Sequence, residues 1–189
     1  MSILFKNKFR IDSSRLKNWD YSIPWWYYVT ICTKNMGFWF ENVKHNKMIL
    51  NVAGKIVNEE WRRSKTIREN VDLDYCVIMP NHIHGIIILD SVETTRWVVS
   101  KNKGEQIIND ETSHRLVSTT IKPNSLSSIV GQFKSIVTKR VRSSGYKNFA
   151  WQPRFYDHII RNEKDLHRIR TYIQNNPLKW ELDEYYTDE

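Results

Sequence analysis

Leu73-Asp74-Tyr75-Cys76-Val77-Ile78-Met79-Pro80-Asn81-His82-Ile83-His84-Gly85-Ile86-Ile87-Ile88-Leu89 reads as two apolar strands parted by Pro80-Asn81. So short a break joins antiparallel neighbours, because a parallel pair needs a long crossover. Working outward, Trp26 to Thr33 is mostly β-branched and aromatic and follows Pro24, which predicts an earlier strand. Between them Ile49, Ala53, Ile56, Val57, Glu60 and Trp61 recur at helical spacing, which predicts a helix from about His45 to Ile67. Downstream, Leu126, Ile129, Val130, Phe133, Ile136, Val137 and Val141 form a second helical stripe, with Ser125 as N-cap and Gly145 at the end. Trp151 to Ile160 is a fourth strand candidate. A last helix is predicted from Glu163 to about Asn176, capped by Asn162 and stopped by Pro177.

The order β-α-β-β-α-β plus a helix is the α+β, ferredoxin-like split arrangement: one antiparallel four-stranded sheet with two helices on one face. The other face is left for a ligand or for the last helix. Residues 1–180 read as one domain. Residues 91–122 are polar with two short β-like pieces, 97–99 and 116–118, and read as a flexible insertion. The acidic segment 181–189 reads as a tail that frays.

Composition narrows the function classes. No apolar run approaches the length of a membrane span, and the basic, interrupted segment from Met1 to Lys17 lacks the apolar core of a signal peptide. Two cysteines, Cys32 and Cys76, make neither a disulfide framework nor a cysteine zinc site, so a reducing, cytoplasmic setting is expected. The net charge is +8, and the stretch from Lys122 to Arg170 carries all of it, with eleven basic residues against Asp157, Glu163 and Asp165. Cations with 8 Trp, 9 Tyr and 7 Phe suit nucleic acid, where charges neutralise phosphates and rings stack on unpaired bases. A solvated basic face on an unrelated protein has the same composition.

His82-Ile83-His84 is the sharpest local feature. Residues two apart on a strand share a face, so both imidazoles can reach one cation. Two hydrogen-bonded or surface histidines fit the pattern as well. Tyr172 and Asn176, four apart, share a face of the last helix. A tyrosine nucleophile beside a neutral oxygen ligand suits a phosphodiester site, and Asn176 offers a carbonyl compatible with Mg²⁺ or Mn²⁺. Taken singly, Tyr172 is equally a core residue and Asn176 a helix-end cap.

The motifs Met79-Pro80-Asn81-His82-Ile83-His84, Phe133-Lys134-Ser135, Trp151 to Asn162 and Tyr172-Ile173-Gln174-Asn175-Asn176-Pro177 occur in that order. Together with Trp19-Asp20-Tyr21-Ser22 and Tyr28 to Thr33 they resemble the REP-associated tyrosine transposases. These are relatives of the insertion-sequence-200-type single-tyrosine transposases in the HUH endonuclease superfamily. The resemblance spans the chain apart from the insertion and the tail. It implies a metal-dependent enzyme that nicks and rejoins single-stranded or hairpin DNA through a 5′-phosphotyrosine, located in the cytoplasm and on the nucleoid when DNA-bound. His82 and His84 would be the metal pair for Mg²⁺ or Mn²⁺, and the last helix would be catalytic, with Tyr172 as its nucleophile. Asn176 falls at the third ligand position, typically Gln in the insertion-sequence branch. His158 matches a family histidine, accessory to the phosphate or structural. Lys134, Lys139, Arg140, Arg142 and Arg154 are candidates for DNA phosphates, each also readable as a surface charge. The insertion-sequence branch works as dimers and the REP-associated branch is competent as a monomer, so either state is compatible. The rival readings are a domesticated, non-catalytic binder of single-stranded or hairpin nucleic acid and a small metal hydrolase acting on water.

Overall fold

The computed structural model describes residue 16, residues 18–91 and residues 122–186. The insertion from 92 to 121, with both its β-like pieces, and the last three residues of the acidic segment lie outside the described residues. In chain order the elements are β1 (Trp25–Cys32), a 3-10 turn (Lys34–Met36), β2 (Val43–Lys44), β3 (Lys47–Met48) and α1 (Val52–Thr66). Then follow β4 (Val71–Ile78), β5 (His82–Leu89), α2 (Leu126–Ser143), β6 (Tyr156–Ile159), α3 (Glu163–Asn175) and a 3-10 segment (Asn176–Leu182).

The main sheet runs β4-β5-β1-β6, and every pair in it is antiparallel. This is the expected ferredoxin-like sheet, and its alternation sorts side chains onto two faces. Tyr27, Val29 and Ile31 of β1 and Ile83, Ile87 and Leu89 of β5 join one core with Trp61 of α1 and Phe133 and Val137 of α2. Tyr28 and Ile86, on the opposite face, join Ile160 with Ile169 and Ile173 of α3. The last helix therefore covers the second face. Two buried isoleucines contribute roughly 1.5–3 kcal/mol each to holding it there. Arg170 Nε donates to Asp74 Oδ2 at 2.7 Å, tying α3 to β4 where that strand bulges between Leu73 and Cys76.

Three boundaries differ from the sequence reading. α1 begins at Val52, not near His45, because His45 and Asn46 take φ of 51° and 61° and turn the tight β2–β3 hairpin. Asn51 then caps the helix, its Oδ1 accepting from Gly54 N. The last strand begins at Tyr156, since Arg154 sits at φ 64° and Trp151 makes only an isolated bridge to Thr33. Pro177 ends α3 but not the winding, which continues as 3-10 turns to Leu182. The segment beyond Glu181, expected to fray, lies against the sheet as far as Tyr185, where Asn81 Nδ2 donates to Tyr185 O at 2.9 Å.

Gly85 follows His84 on β5 and faces α1. An added Cβ there would lie 2.3 Å from Trp61 Cζ2, so only glycine lets β5 approach α1 this closely.

Candidate metal and nucleophile site

His82 and His84 project from β5 onto the α3 face, and both are fully buried. Their Nε2 atoms lie 2.9 Å apart. The hydrogen-bond partners assign the protons. Asn81 Nδ2 is used on Tyr185 O, so its Oδ1 faces His82 and His82 Nδ1 donates to it at 2.7 Å. Tyr28 OH donates to His84 Nδ1 at 2.7 Å, with Thr30 Oγ1 3.0 Å from that nitrogen and donating to Tyr28 OH at 3.3 Å. The proton of His84 then sits on Nε2, directed at the bare Nε2 of His82. One tautomer change at His84, with Nδ1 donating to Thr30 Oγ1, bares both Nε2 atoms. Burial pushes the His82 pKa down to about 3 and holds His84 well below the usual histidine range, with its neighbour His82 adding to the effect. Both rings are therefore neutral at pH 7, the form that binds metal.

α3 brings Tyr172 to the pair. Its hydroxyl is 3.2 Å from His84 Nε2 and donates to Asp183 Oδ2 at 3.1 Å. Asp183 comes from the end of the 3-10 segment, and its Oδ2 also accepts from Asn176 Nδ2. Burial and then the neighbouring Tyr28 and Asp183 push the Tyr172 phenol well above its ordinary range. An unaided phenolate is thus rare at neutral pH. The Tyr185 ring lies tilted against that of His82, with centroids 4.8 Å apart.

His82, His84 and Asp183 each offer a ligand atom, and these atoms lie within 4.8 Å of one another. The donor set fits a divalent ion. Two ligands about 2.1 Å from a metal at right angles stand about 3.0 Å apart, close to the spacing of the two Nε2 atoms. Asn176 Oδ1 is buried and has no hydrogen-bond partner among the described residues, an oxygen that a cation would satisfy.

No protein-family model matches the chain. An uncharacterized protein of Haemophilus influenzae is 36% identical over 177 residues, covering 93% of this chain and 93% of its own length. The REP-associated tyrosine transposase of Escherichia coli is 42% identical over 48 residues, 25% of this chain and 28% of that protein. A solved REP-associated tyrosine transposase bound to a REP hairpin superposes with a TM-score of 0.53 and 21% identity, over 90% of this chain and 74% of that one. The chain has the REP-associated tyrosine transposase fold. It belongs to one family with the Haemophilus protein. The family resemblance carried by the ordered motifs is thus met in the fold and in a 48-residue stretch of sequence.

Within this transposase fold the cations named from sequence do not gather round Tyr172. α2 packs on the other face of the sheet. Lys134 Nζ donates to Gln152 O at 2.6 Å and Arg154 O at 2.8 Å, bracing the turn before β6. Arg140 pairs with Glu59 at 2.8 Å and with the buried Glu60 at 2.6 Å, joining α2 to α1. Arg142 Nε donates to Phe149 O at 2.9 Å. Lys139 is exposed on α2, and Arg154 is exposed at its turn. His158 Nε2 is 2.7 Å from Asp165 Oδ2, linking β6 to α3. The sequence reading missed Asp183, which it left in the tail. Its acidity after a predicted catalytic helix was the available signal. Asn81 and Tyr28 were quoted in motifs without a role, yet they orient the two imidazoles.

Proposed function

We propose that the chain is a single-tyrosine strand transferase that nicks and rejoins single-stranded or hairpin DNA in the cytoplasm, with Tyr172 as nucleophile. The observation that carries this reading is the approach of the Tyr172 hydroxyl to 3.2 Å from the buried His84 Nε2. A tyrosine with a purely packing role has no need of that neighbour. His82 Nε2, His84 Nε2 and an Asp183 oxygen would hold Mg²⁺ or Mn²⁺, with Asn176 orienting the carboxylate and offering its own Oδ1. When bound, such an ion supplies positive charge that polarises the scissile phosphate and offsets the carboxylate that holds the phenol up.

The chain's own groups then divide the work. Asn81 Oδ1 and Tyr28 OH hold the imidazole rings in place through Nδ1. Asp183 Oδ2 accepts the Tyr172 hydroxyl hydrogen and is where that proton goes. Tyr172 Oη forms a bond to phosphorus as the bond from phosphorus to the 3′-oxygen breaks, and that oxygen leaves as a 3′-hydroxyl, the proton held on Asp183 reaching it through water. The product is a 5′-phosphotyrosine. Because it keeps a phosphodiester, a 3′-hydroxyl reverses the step and joins strands without a nucleotide cofactor. Every group named comes from one chain, which supports a monomer as the working unit.

Incubation with hairpin-tipped single-stranded DNA and Mn²⁺, followed by denaturing electrophoresis, should give a protein–DNA covalent band that EDTA prevents. Tight binding without any band would instead support the non-catalytic binder. Turnover of DNA without a covalent band would support the metal hydrolase.

A further inference from the structure

β6 is the edge strand of the sheet and presents Tyr156 and His158, two apart, on the face that carries Tyr172. In register, Tyr156 lies opposite Thr30 and His158 opposite Tyr28, the two residues that hold His84 Nδ1. Tyr156 is 46% exposed, so its ring is not spent on the core. It stands 6.4 Å from the Tyr28 ring, and Tyr28 stands 6.4 Å from that of Tyr172. Beyond Tyr156, His158 forms one wall of an open groove of about 580 Å³, with Arg161, Lys164, Asp165, His167 and Arg168 among its other walls. The one carboxylate there is committed, accepting from Arg168 at 2.7 Å and facing His158 at 2.7 Å. Arg161 and Lys164 make no ion pair among the described residues.

An exposed ring separated from the nucleophile by the Tyr28 ring, continued by a groove edged with Arg161, Lys164 and Arg168, matches a polymer that alternates flat faces with negative charges. A duplex hides its base faces, whereas a single strand offers them. We propose that β6 and the start of α3 form a track for the single-stranded DNA flanking the reacting phosphate. A base stacks on Tyr156, and phosphates lie between Arg161 and Lys164. The inference rests on the strand-transfer reading above and names where the flank runs.

Fluorescence anisotropy in EDTA, which removes chemistry from the measurement, compares a hairpin lacking any tail with the same hairpin carrying a single-stranded tail. The wild-type chain should bind the tailed form more tightly. Tyr156→Ala should weaken that form roughly five- to hundred-fold and leave the tailless hairpin unchanged. Arg161→Ala with Lys164→Ala should reduce the salt slope for the tailed form by roughly 1.4, two single-strand phosphate contacts. Circular dichroism confirms that the variants are folded. Equal losses on both DNAs, or no loss on either, overturn the track. A wild-type chain that gains nothing from the tail also overturns it, while the covalent-band assay of Tyr172 stands as a separate result. A wild-type chain that binds neither DNA overturns both readings.

Discussion

Tyr172 and phenylalanine differ by one hydroxyl, and among the described residues that hydroxyl meets Asp183 and His84, both at the candidate site. Tyr172→Phe should therefore remove the covalent band completely while shifting stability by about 1 kcal/mol or less, measured by urea denaturation. An adduct that persists in the variant, or that peptide mapping assigns to Tyr156 or Tyr185, would transfer the nucleophile's role. Asn81 gives a second test at the same scale, because its Oδ1 accepts from His82 Nδ1 and fixes which nitrogen is bared. Asn81→Ala should weaken Mn²⁺ binding roughly ten- to hundred-fold by titration calorimetry, the range seen when outer partners of a ligating histidine are lost. Unchanged affinity would mean that the ring is oriented without Asn81.

At the scale of elements, the pairs that join helices to strands decide whether these residues meet. Gly85 lets β5 close on Trp61, so Gly85→Ala should cost about 1–3 kcal/mol through overpacking and displace the strand bearing His84. Activity should fall along with the melting temperature. Arg140 behaves differently, since its partners are Glu59 and the buried Glu60 on α1, across the sheet from Tyr172. Among the described residues, Arg140→Ala leaves the buried Glu60 carboxylate with the longer 3.5 Å contact to Arg63 as its one remaining ion pair. It should destabilise the fold by about 1–2 kcal/mol, and DNA affinity should not change at a temperature where the variant is folded. A loss of affinity without a loss of stability would return Arg140 to the DNA surface.

For the whole molecule, charge and protonation set the conditions of function. Of the eleven cations between Lys122 and Arg170, Lys122, Lys134, Arg140, Arg142, Arg168 and Arg170 are engaged within the fold. If Lys139, Lys147, Arg161 and Lys164 meet phosphates, the slope of log K against log salt for single-stranded DNA should be roughly −3, not the roughly −8 that all eleven would give. Acid should act through the buried histidines. The unfolded state takes up a proton below about 6.5, whereas His82 in the fold resists protonation down to about 3. Between those values the unfolded state binds more protons, so metal-free stability should fall as pH falls, by up to about 1.4 kcal/mol per pH unit for each histidine. Urea midpoints at pH 7 and pH 5 check the sign. The fall in stability between pH 7 and pH 5 should be smaller in His82→Gln.

Local chemistry was enough to read much of this protein. The apolar run Ile86 to Leu89 marks the strand, and the i, i+2 spacing of His82 and His84 gives their shared face. The Ser125 cap and the α2 stripe are equally local, as is the pairing of Tyr172 with Asn176 on one helix. Where a single turn decided a boundary, pattern failed: His45 and Asn46 at positive φ make a hairpin in a segment that scans as helix. The functions of the cations were also beyond sequence, because a basic residue looks the same whether it meets phosphate, a buried Glu60 or the carbonyl of Phe149. Asp183 belongs to this second group. Its carboxylate reaches the histidines only because the 3-10 turns after Pro177 fold the chain back over β5, a contact made across about a hundred residues of sequence that no local periodicity encodes.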